Sequence, residues 1–238
     1  MHNKKETLVI SLGGSLICPD GIDTKFLKII VSIIKKEQKN KRIVIITGGG
    51  HICREYLTAF DKVRNKTNST PGKDYVAIGI TVANAKLMQS LLADADVKLH
   101  PALLNNPTKK INWGKYKVVV GCGYKPGHST DYDAVLAAIV AKSRTVVNLT
   151  NIDYVYTKDP NKFRNAKPLK ELTWREYKKV LGVVKWKAGL HTPFDPIASR
   201  LAEKNKIAVY SVNGQKKKSL ASAFTDKPIG THIFSTKR

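Results

Sequence analysis

The sequence predicts an α/β fold built on a mainly parallel sheet with helices on both faces. Three observations carry this expectation. Apolar, β-branched runs alternate with segments of helical spacing along the 238 residues. The runs are apolar throughout rather than at every second position, as in strands covered on both faces. Four of them end in glycine-rich or polar stretches, after Leu12, Ile46, Val120 and Leu149. Ligands of open α/β sheets bind at such carboxyl ends.

In chain order, Leu8–Leu12 reads as the first strand and leads into the turn Gly13–Gly14–Ser15. Asp23 or Thr24 can cap a helix over roughly Lys25–Gln38, with Phe26, Leu27, Ile30, Ile33 and Ile34 on one face. A second strand, Arg42–Ile46, delivers the string TGGGHICR at Thr47–Arg54, and a helix continues to about Arg64. Asn65–Lys73 is polar enough for a loop, and Tyr75–Leu92 reads as a helix that Gly79 can interrupt. After the loop Asn105–Lys115, the strand Lys117–Val120 opens onto GCGYKPGHSTDYDA, Gly121–Ala134, before a helix Ala134–Lys142.

Thr145–Leu149 is a buried-type strand ending in TNIDYVYTKDP, Thr150–Pro160. Thr173 and Glu176 fit a capping box for a helix Trp174–Leu181. Asp195 and Pro196 fit N-cap and first position of a helix to Asn205. Ile207–Val212 is a further strand, and His232–Phe234 reads as a last edge strand. The chain is expected to form one domain.

Hydrophobic content of 42% and charged content of 25% are ordinary for a globular chain. No long uncharged apolar span is evident, so a membrane-spanning helix is not expected. The opening MHNKKETLVI runs from charge straight into a strand without a secretory pattern, which suggests a cytoplasmic protein. Cys18, Cys53 and Cys122 lack metal-ligand spacing and read as reduced thiols. Lys+Arg 42 against Asp+Glu 18 gives a net charge of +24. Such a field attracts nucleic acid and small polyphosphates alike. The lysines are spread along the chain without interleaved aromatics, so nucleic acid is expected only through non-specific charge.

Glycine at a strand end lets backbone N–H groups approach an anion, and a following helix N-terminus adds unpaired donors. Two such ends, at Gly13–Gly14 and Gly48–Gly50, suggest two phosphates or two sides of one transfer. With no nucleophile motif, this suits phosphoryl transfer, which needs positioning and charge neutralisation. The sequence lacks both G-x-x-x-x-G-K-[ST] and a G-x-G-x-x-G after the first strand, which disfavours P-loop and dinucleotide enzymes.

Gly13–Gly14–Ser15, Gly48–Gly50 with Arg54, Pro126–Asp131 and TNIDYVYTKDP together resemble the amino acid kinase superfamily, and within it the archaeal type of uridylate (UMP) kinase. The resemblance runs from about Thr7 to Ile233 and includes VANAKLM at Val82–Met88, KAG at Lys187–Gly189 and DPIASRLAEK at Asp195–Lys204. It implies a three-layer α/β/α sandwich with an acceptor-binding lobe over about residues 1–140 and an ATP-binding lobe over about 141–238, ATP with Mg2+, UMP as acceptor, and a homo-oligomer, typically a hexamer.

The resemblance also assigns roles. Gly14, Ser15, Gly50 and Arg54 would lie along the donor phosphates and the phosphoryl group in flight. Thr150, Asn151, Tyr156 and Asp159 would complete the ATP site. Gly49, Asp74 and the loop Tyr124, Lys125, Pro126, Gly127, His128, Ser129 and Thr130 would hold UMP. Asp131 would orient the catalytic cation, and magnesium would be held by phosphate oxygens and water.

Three positions depart from the family pattern. Ser11 stands where many members carry a lysine, although some archaeal uridylate kinases lack it, so another cation must act. Arg54, Lys125, Lys158 and Lys187 are candidates, with Lys187 first. Tyr154 replaces a usual glycine, and Tyr132–Asp133 interrupts a usual run of small residues. Two other readings remain at this point. One is a kinase for a different small acceptor, such as isopentenyl phosphate or carbamate, which His51 beside the glycines keeps open. The other is a basic, non-catalytic nucleotide sensor or nucleic-acid-associated protein.

Overall fold

The computed structural model describes residues 7–68, 70–182 and 192–236. Its strands are β1 (Thr7–Leu12), β2 (Arg42–Thr47), β3 (Val118–Gly121), β4 (Thr145–Thr150), β5 (Val155–Tyr156), β6 (Pro168–Leu169), β7 (Glu171–Thr173), β8 (Ala208–Asn213) and β9 (Thr231–Phe234). Its helices are α1 (Gly14–Ile17), α2 (Thr24–Glu37), α3 (Gly50–Arg64), α4 (Pro71–Asp94), α5 (Thr130–Ala141), α6 (Trp174–Leu181), α7 (Pro196–Lys204) and α8 (Lys217–Ser222).

One seven-stranded sheet runs through the molecule in the order β3-β2-β1-β4-β8-β9-β7. The five strands from β3 to β8 are mutually parallel, so their carboxyl ends share one edge. Strand side chains alternate between two cores, as a period of two requires. Ile10, Leu12, Ile43, Ile45, Val147 and Leu149 pack with α1, α2, α4 and α8. Val9, Val44, Ile46 and Val146 pack with α5, α6 and α7. The expected α/β/α sandwich is therefore present, and each of these fully buried aliphatic side chains contributes ~1.5–3 kcal/mol relative to exposure.

Several elements differ from the sequence-based expectation. α4 begins at Pro71, because Thr70 caps the Lys73 N–H and proline suits the first helical position. It runs through Gly79 unbroken. α5 begins at Thr130, four positions before the expected Ala134, with Ser129 as its cap. β9 is not an edge strand: it pairs antiparallel with β8 and parallel with β7, which forms the edge. A short α1 occupies the first glycine turn. β5, β6, β7 and α8 were not expected at all. α4 also corrects the expectation about membrane spans, since by length and composition it could cross one. Here Thr81, Asn84, Ala85, Met88 and Leu92 are buried, and the helix packs against α3, β2 and β3.

Candidate active site

The two glycine turns that the sequence separates by more than thirty residues lie backbone on backbone. The register aligns Leu12 with Thr47 on one side and Leu149 on the other. Gly48 N–H then donates to the Leu12 carbonyl at 2.9 Å and Gly13 N–H to the Leu149 carbonyl at 2.8 Å. A Cβ on Gly14 would come within 2.0 Å of the Gly50 nitrogen, and one on Gly48 within 2.6 Å of the Gly14 nitrogen. Gly50 itself has φ +74°, a left-handed conformation that favours glycine. His51 N–H closes the junction on the Cys18 carbonyl at 2.8 Å.

Asn84, buried in the middle of α4, donates to the carbonyls of Gly48 (2.7 Å) and Gly49 (3.1 Å). In a trans peptide the following N–H points the opposite way, so the amides of Gly49 and Gly50 face away from Asn84. α3 starts there with no side-chain cap and no acid in its first turn. That leaves a helix N-terminus free for an anion. Arg54 lies one turn along α3, half-buried. Cys18, Cys53 and Cys122 beside these turns are buried, free thiols, and burial pushes the Cys53 and Cys122 thiols up.

The loop after β3 is tied at several points. Gly123 N–H donates to Thr81 Oγ1 at 2.9 Å, and Thr47 Oγ1 bonds the Thr81 and Gly121 carbonyls. Asp74, in the first turn of α4, accepts the Gly127 N–H on Oδ2 at 2.9 Å. Gly127 has φ +81°, and the turn closes from His128 N–H to the Lys125 carbonyl at 3.2 Å. Tyr124, Lys125, Pro126, Gly127, His128, Ser129 and Thr130 therefore form one built loop between α4 and α5.

Asp131 joins this loop to the other half of the sheet. Its Oδ1 accepts from the Ser11 hydroxyl at 2.8 Å and its Oδ2 from the Asp195 N–H at 3.1 Å. Burial raises its pKa to about 6, opposed chiefly by the Ser11 hydrogen bond. Ser11 is thus a partner of Asp131 and not merely the absence of a lysine. Asp195 caps α7 through the N–H groups of Ile197 and Ala198, and its own pKa is raised by burial. Tyr177 OH bridges the Phe194 carbonyl and N–H, fixing the approach to Asp195.

On the other side of β1, Thr150 ends β4 opposite Asn213. Asn213 Nδ2 holds Asp153 Oδ1 at 2.9 Å, and Lys216 Nζ reaches Asp153 Oδ2 at 2.7 Å. This ties Asn151–Asp153 to the end of β8. Tyr156 lies in β5, paired with Pro168 of β6, and Asp159 accepts the Asn161 N–H in an exposed turn. Tyr154 is not among the residues with positive φ, so the side chain that replaces a usual glycine is accommodated in ordinary backbone. Tyr132–Asp133 likewise leaves the start of α5 intact.

The structure thus brings Gly14, Ser15, Gly49, Gly50, Arg54, the 124–130 loop, Asp131, Thr150 and Asn151 to one sheet edge. Asp74 reaches that edge through the loop. Lys187 lies outside the described residues. Asn84, Asp133, Asp153, Asn213 and Lys216 were missed as site residues, and Asp195 was read only as a helix cap. Asn84 carried a signal, as an amide within an apolar helix; Asp133 acts on a loop five to nine residues before it, and Asp153, Asp195, Asn213 and Lys216 depend on long-range partners.

The amino acid kinase family model matches residues 6–213. The chain is 30% identical over 228 residues to the uridylate kinase of Methanobrevibacter smithii, covering 96% of this chain and 99% of that one. It is 32% identical over 230 residues to that of Pyrococcus abyssi, covering 95% and 98%. The crystal structure of uridylate kinase from Archaeoglobus fulgidus superposes with a TM-score of 0.79 at 26% identity, covering 96% of this chain and 99% of that one. UMP kinase from Ureaplasma parvum shares the fold, with a TM-score of 0.78 at 20% identity and coverage of 97% and 99%. A sheet edge carrying interlocked glycine turns, in a chain matched from end to end of its core, leads to one assignment: the chain belongs to the amino acid kinase family.

Proposed function

We propose that the chain transfers the γ-phosphoryl group of ATP to UMP, giving UDP and ADP. The observation that carries this reading is the interlock of Gly13–Gly14 with Gly48–Gly50, which sets two anion-binding turns in direct contact. An acceptor loop stands on one side and the Thr150–Asp159 string on the other. Likeness to uridylate kinases over 96% of the chain supports UMP as the acceptor.

In the transfer, an oxygen of the UMP phosphate forms a bond to Pγ as the bond from Pγ to the bridging oxygen breaks. Charge spreads over the equatorial oxygens, and catalysis is positioning plus neutralisation. Gly14, Ser15 and Gly50 would present N–H groups to the donor phosphates, and Arg54 a guanidinium fork to the group in transit. Thr150, Asn151, Tyr156 and Asp159 would hold the rest of ATP. Gly49, Asp74 and residues 124–130 would hold UMP. Asp131 would orient the catalytic cation, for which Lys187 is the first candidate. Residues to about 140 would thus form the acceptor lobe and those beyond it the ATP lobe.

Among the described residues no group of three or more His, Cys, Asp or Glu side chains could hold a metal ion. Mg2+ would enter with ATP, held largely by phosphate oxygens and water, and would neutralise charge on the phosphates.

The acid limb of activity follows from Asp131. With a pKa of about 6 in the free protein, its carboxylate is lost as pH falls through that value. kcat/KM for ATP is expected to fall about tenfold per pH unit below it. Ser11→Ala removes a hydrogen bond to the charged form, so the limb should move up by roughly one pH unit. A pH–rate profile that stays flat from pH 5 to 7, or is unchanged in the variant, contradicts this role.

A homo-oligomer is also part of the proposal, in hexamers by family resemblance. Its support is a set of exposed apolar side chains, Tyr56 (55%) and Val63 (85%) seven positions apart on α3 and Tyr75 (64%) on α4. Tyr56→Glu combined with Val63→Glu should lower the sedimenting mass; an unchanged value removes this face from the interface. A cytoplasmic location belongs to the same reading.

The isopentenyl phosphate and carbamate alternatives are not favoured. His51, which kept the first open, lies 3.5 Å from Glu55 on the surface of α3. The test offers MgATP with UMP, CMP, dUMP and isopentenyl phosphate separately. UMP should be turned over fastest; preference for another acceptor, with UMP inert, would falsify the reading. Silence with all four, together with tight nucleotide or RNA binding, would favour the sensor.

A further inference from the structure

Asp133 is a fully buried carboxylate that the transfer chemistry does not use. It lies in the first turn of α5 and both its oxygens point back into the loop before that helix. Oδ2 accepts the Tyr124 N–H at 2.9 Å, and Oδ1 lies 3.1 Å from His128 Nδ1. The His128 ring is held edge-on between two tyrosines, with centroids 4.4 Å from Tyr132 and 5.8 Å from Tyr124. The two ends of the 124–128 turn are therefore fastened to one side chain, while Asp74 on α4 holds the Gly127 amide between them.

Burying a carboxylate is costly unless its oxygens are hydrogen-bonded. Burial does raise the pKa of Asp133, and the bonds from His128 and the Tyr124 amide oppose it, with Lys125 nearby adding to the stabilisation of the charged form. The remaining ionisable neighbours are Cys122, which the Asp133 charge disfavours as thiolate, and Asp131, which it pushes toward the protonated form. A residue kept at such cost on the inner side of a loop acts on the shape of that loop.

We propose that Asp133 is a positioning residue for the phosphoryl acceptor: it fixes the 124–128 turn and the His128 ring in the conformation that receives the acceptor's phosphate and base. This rests on the reading of that loop as the UMP site. The carboxylate also selects the imidazole tautomer. With Nδ1–H donating to Asp133, Nε2 is the nitrogen left for the acceptor. A small residue at this position would leave the turn without its inner anchor, so acceptor affinity is set chiefly here.

The test uses the full chain with Asp133→Ala, Asp133→Asn and His128→Ala singly, and each Asp133 variant combined with His128→Ala. Backbone hydrogen exchange over residues 122–130 and the KM values for UMP and ATP are measured in each. Asp133→Ala should speed exchange in the loop and raise KM for UMP about tenfold, as loss of hydrogen bonds to a charged group does, with KM for ATP within twofold. Asp133→Asn, which keeps an acceptor for the Tyr124 amide, should recover part of the loss. Adding His128→Ala to Asp133→Ala should cost little more, because the two act as a unit.

Unchanged exchange in Asp133→Ala overturns the proposal, as does an equal rise in both KM values or full additivity of the pair. A wild-type chain inert toward UMP would instead sink the acceptor reading. The exchange measurement would still decide whether Asp133 holds the turn.

Discussion

Gly14→Ala is expected to abolish UDP formation, with a loss of at least about a hundredfold in kcat, and to lower thermal stability. The reason is steric and local. The added Cβ would sit 2.0 Å from the Gly50 nitrogen and 2.6 Å from Gly49 backbone atoms. No side-chain rotation relieves a clash with backbone, so one turn must move off the other. Forcing extra volume into a packed site costs roughly 1–3 kcal/mol, a Tm drop of about 2–12 °C for a chain of this size. The catalytic loss is larger because misplacement by an ångström or so removes donors from the phosphates. Gly79→Ala is the matched control. Nothing lies within 4 Å of its Cβ position and the residue is in a helix interior, so it should raise stability by up to about 1 kcal/mol. Wild-type turnover in Gly14→Ala would contradict the account of the interlock.

Arg54→Ala carries the second large effect. Arg54 stands one turn into α3, beyond the Gly49–Gly50 start, which has no side-chain cap. If it forks onto the phosphoryl group in transit, its interaction is made mainly in the transition state. Removal should then lower kcat on the order of 10³-fold, as loss of a phosphoryl-directed arginine does, with KM for either nucleotide changed less than about threefold. Stability should hardly change, since the side chain is half-exposed. A loss of ATP affinity with little change in kcat would mean that Arg54 only binds nucleotide, as in a sensor.

The strands of the central sheet were legible because continuous apolar runs leave few alternatives to a covered parallel strand. The four loaded strand ends followed from that reading, since parallel neighbours bring their carboxyl ends together. Direction at the far side of the sheet was not legible. His232–Phe234 has the composition of a strand, but nothing local says that it runs antiparallel between β8 and β7. β5 and β6 contain two residues each, too short for any period. α8 was hidden in the lysines at 216–218, and only Ser219 and Leu220 bury it.

The site was legible as backbone and obscure as network. Glycine spacing revealed both turns but not that each excludes a side chain from the other. Ser11 looked like a missing lysine because its hydrogen bond spans 120 positions to Asp131. Asp133 looked like an interruption of a helix start, whereas it anchors the loop nine residues upstream at Tyr124. Tyr154 stood out as the replacement of a usual glycine, and the chain has no left-handed backbone there that would require one.

The most direct measurement follows the γ-phosphate itself. ATP labelled at that position is mixed with excess protein, Mg2+ and UMP in a single turnover, and the products are separated. The account predicts that the label appears in UDP with the wild-type chain and remains in ATP with Gly14→Ala. Label released as inorganic phosphate, or retained in ATP by the wild-type chain, would contradict transfer between the two glycine turns.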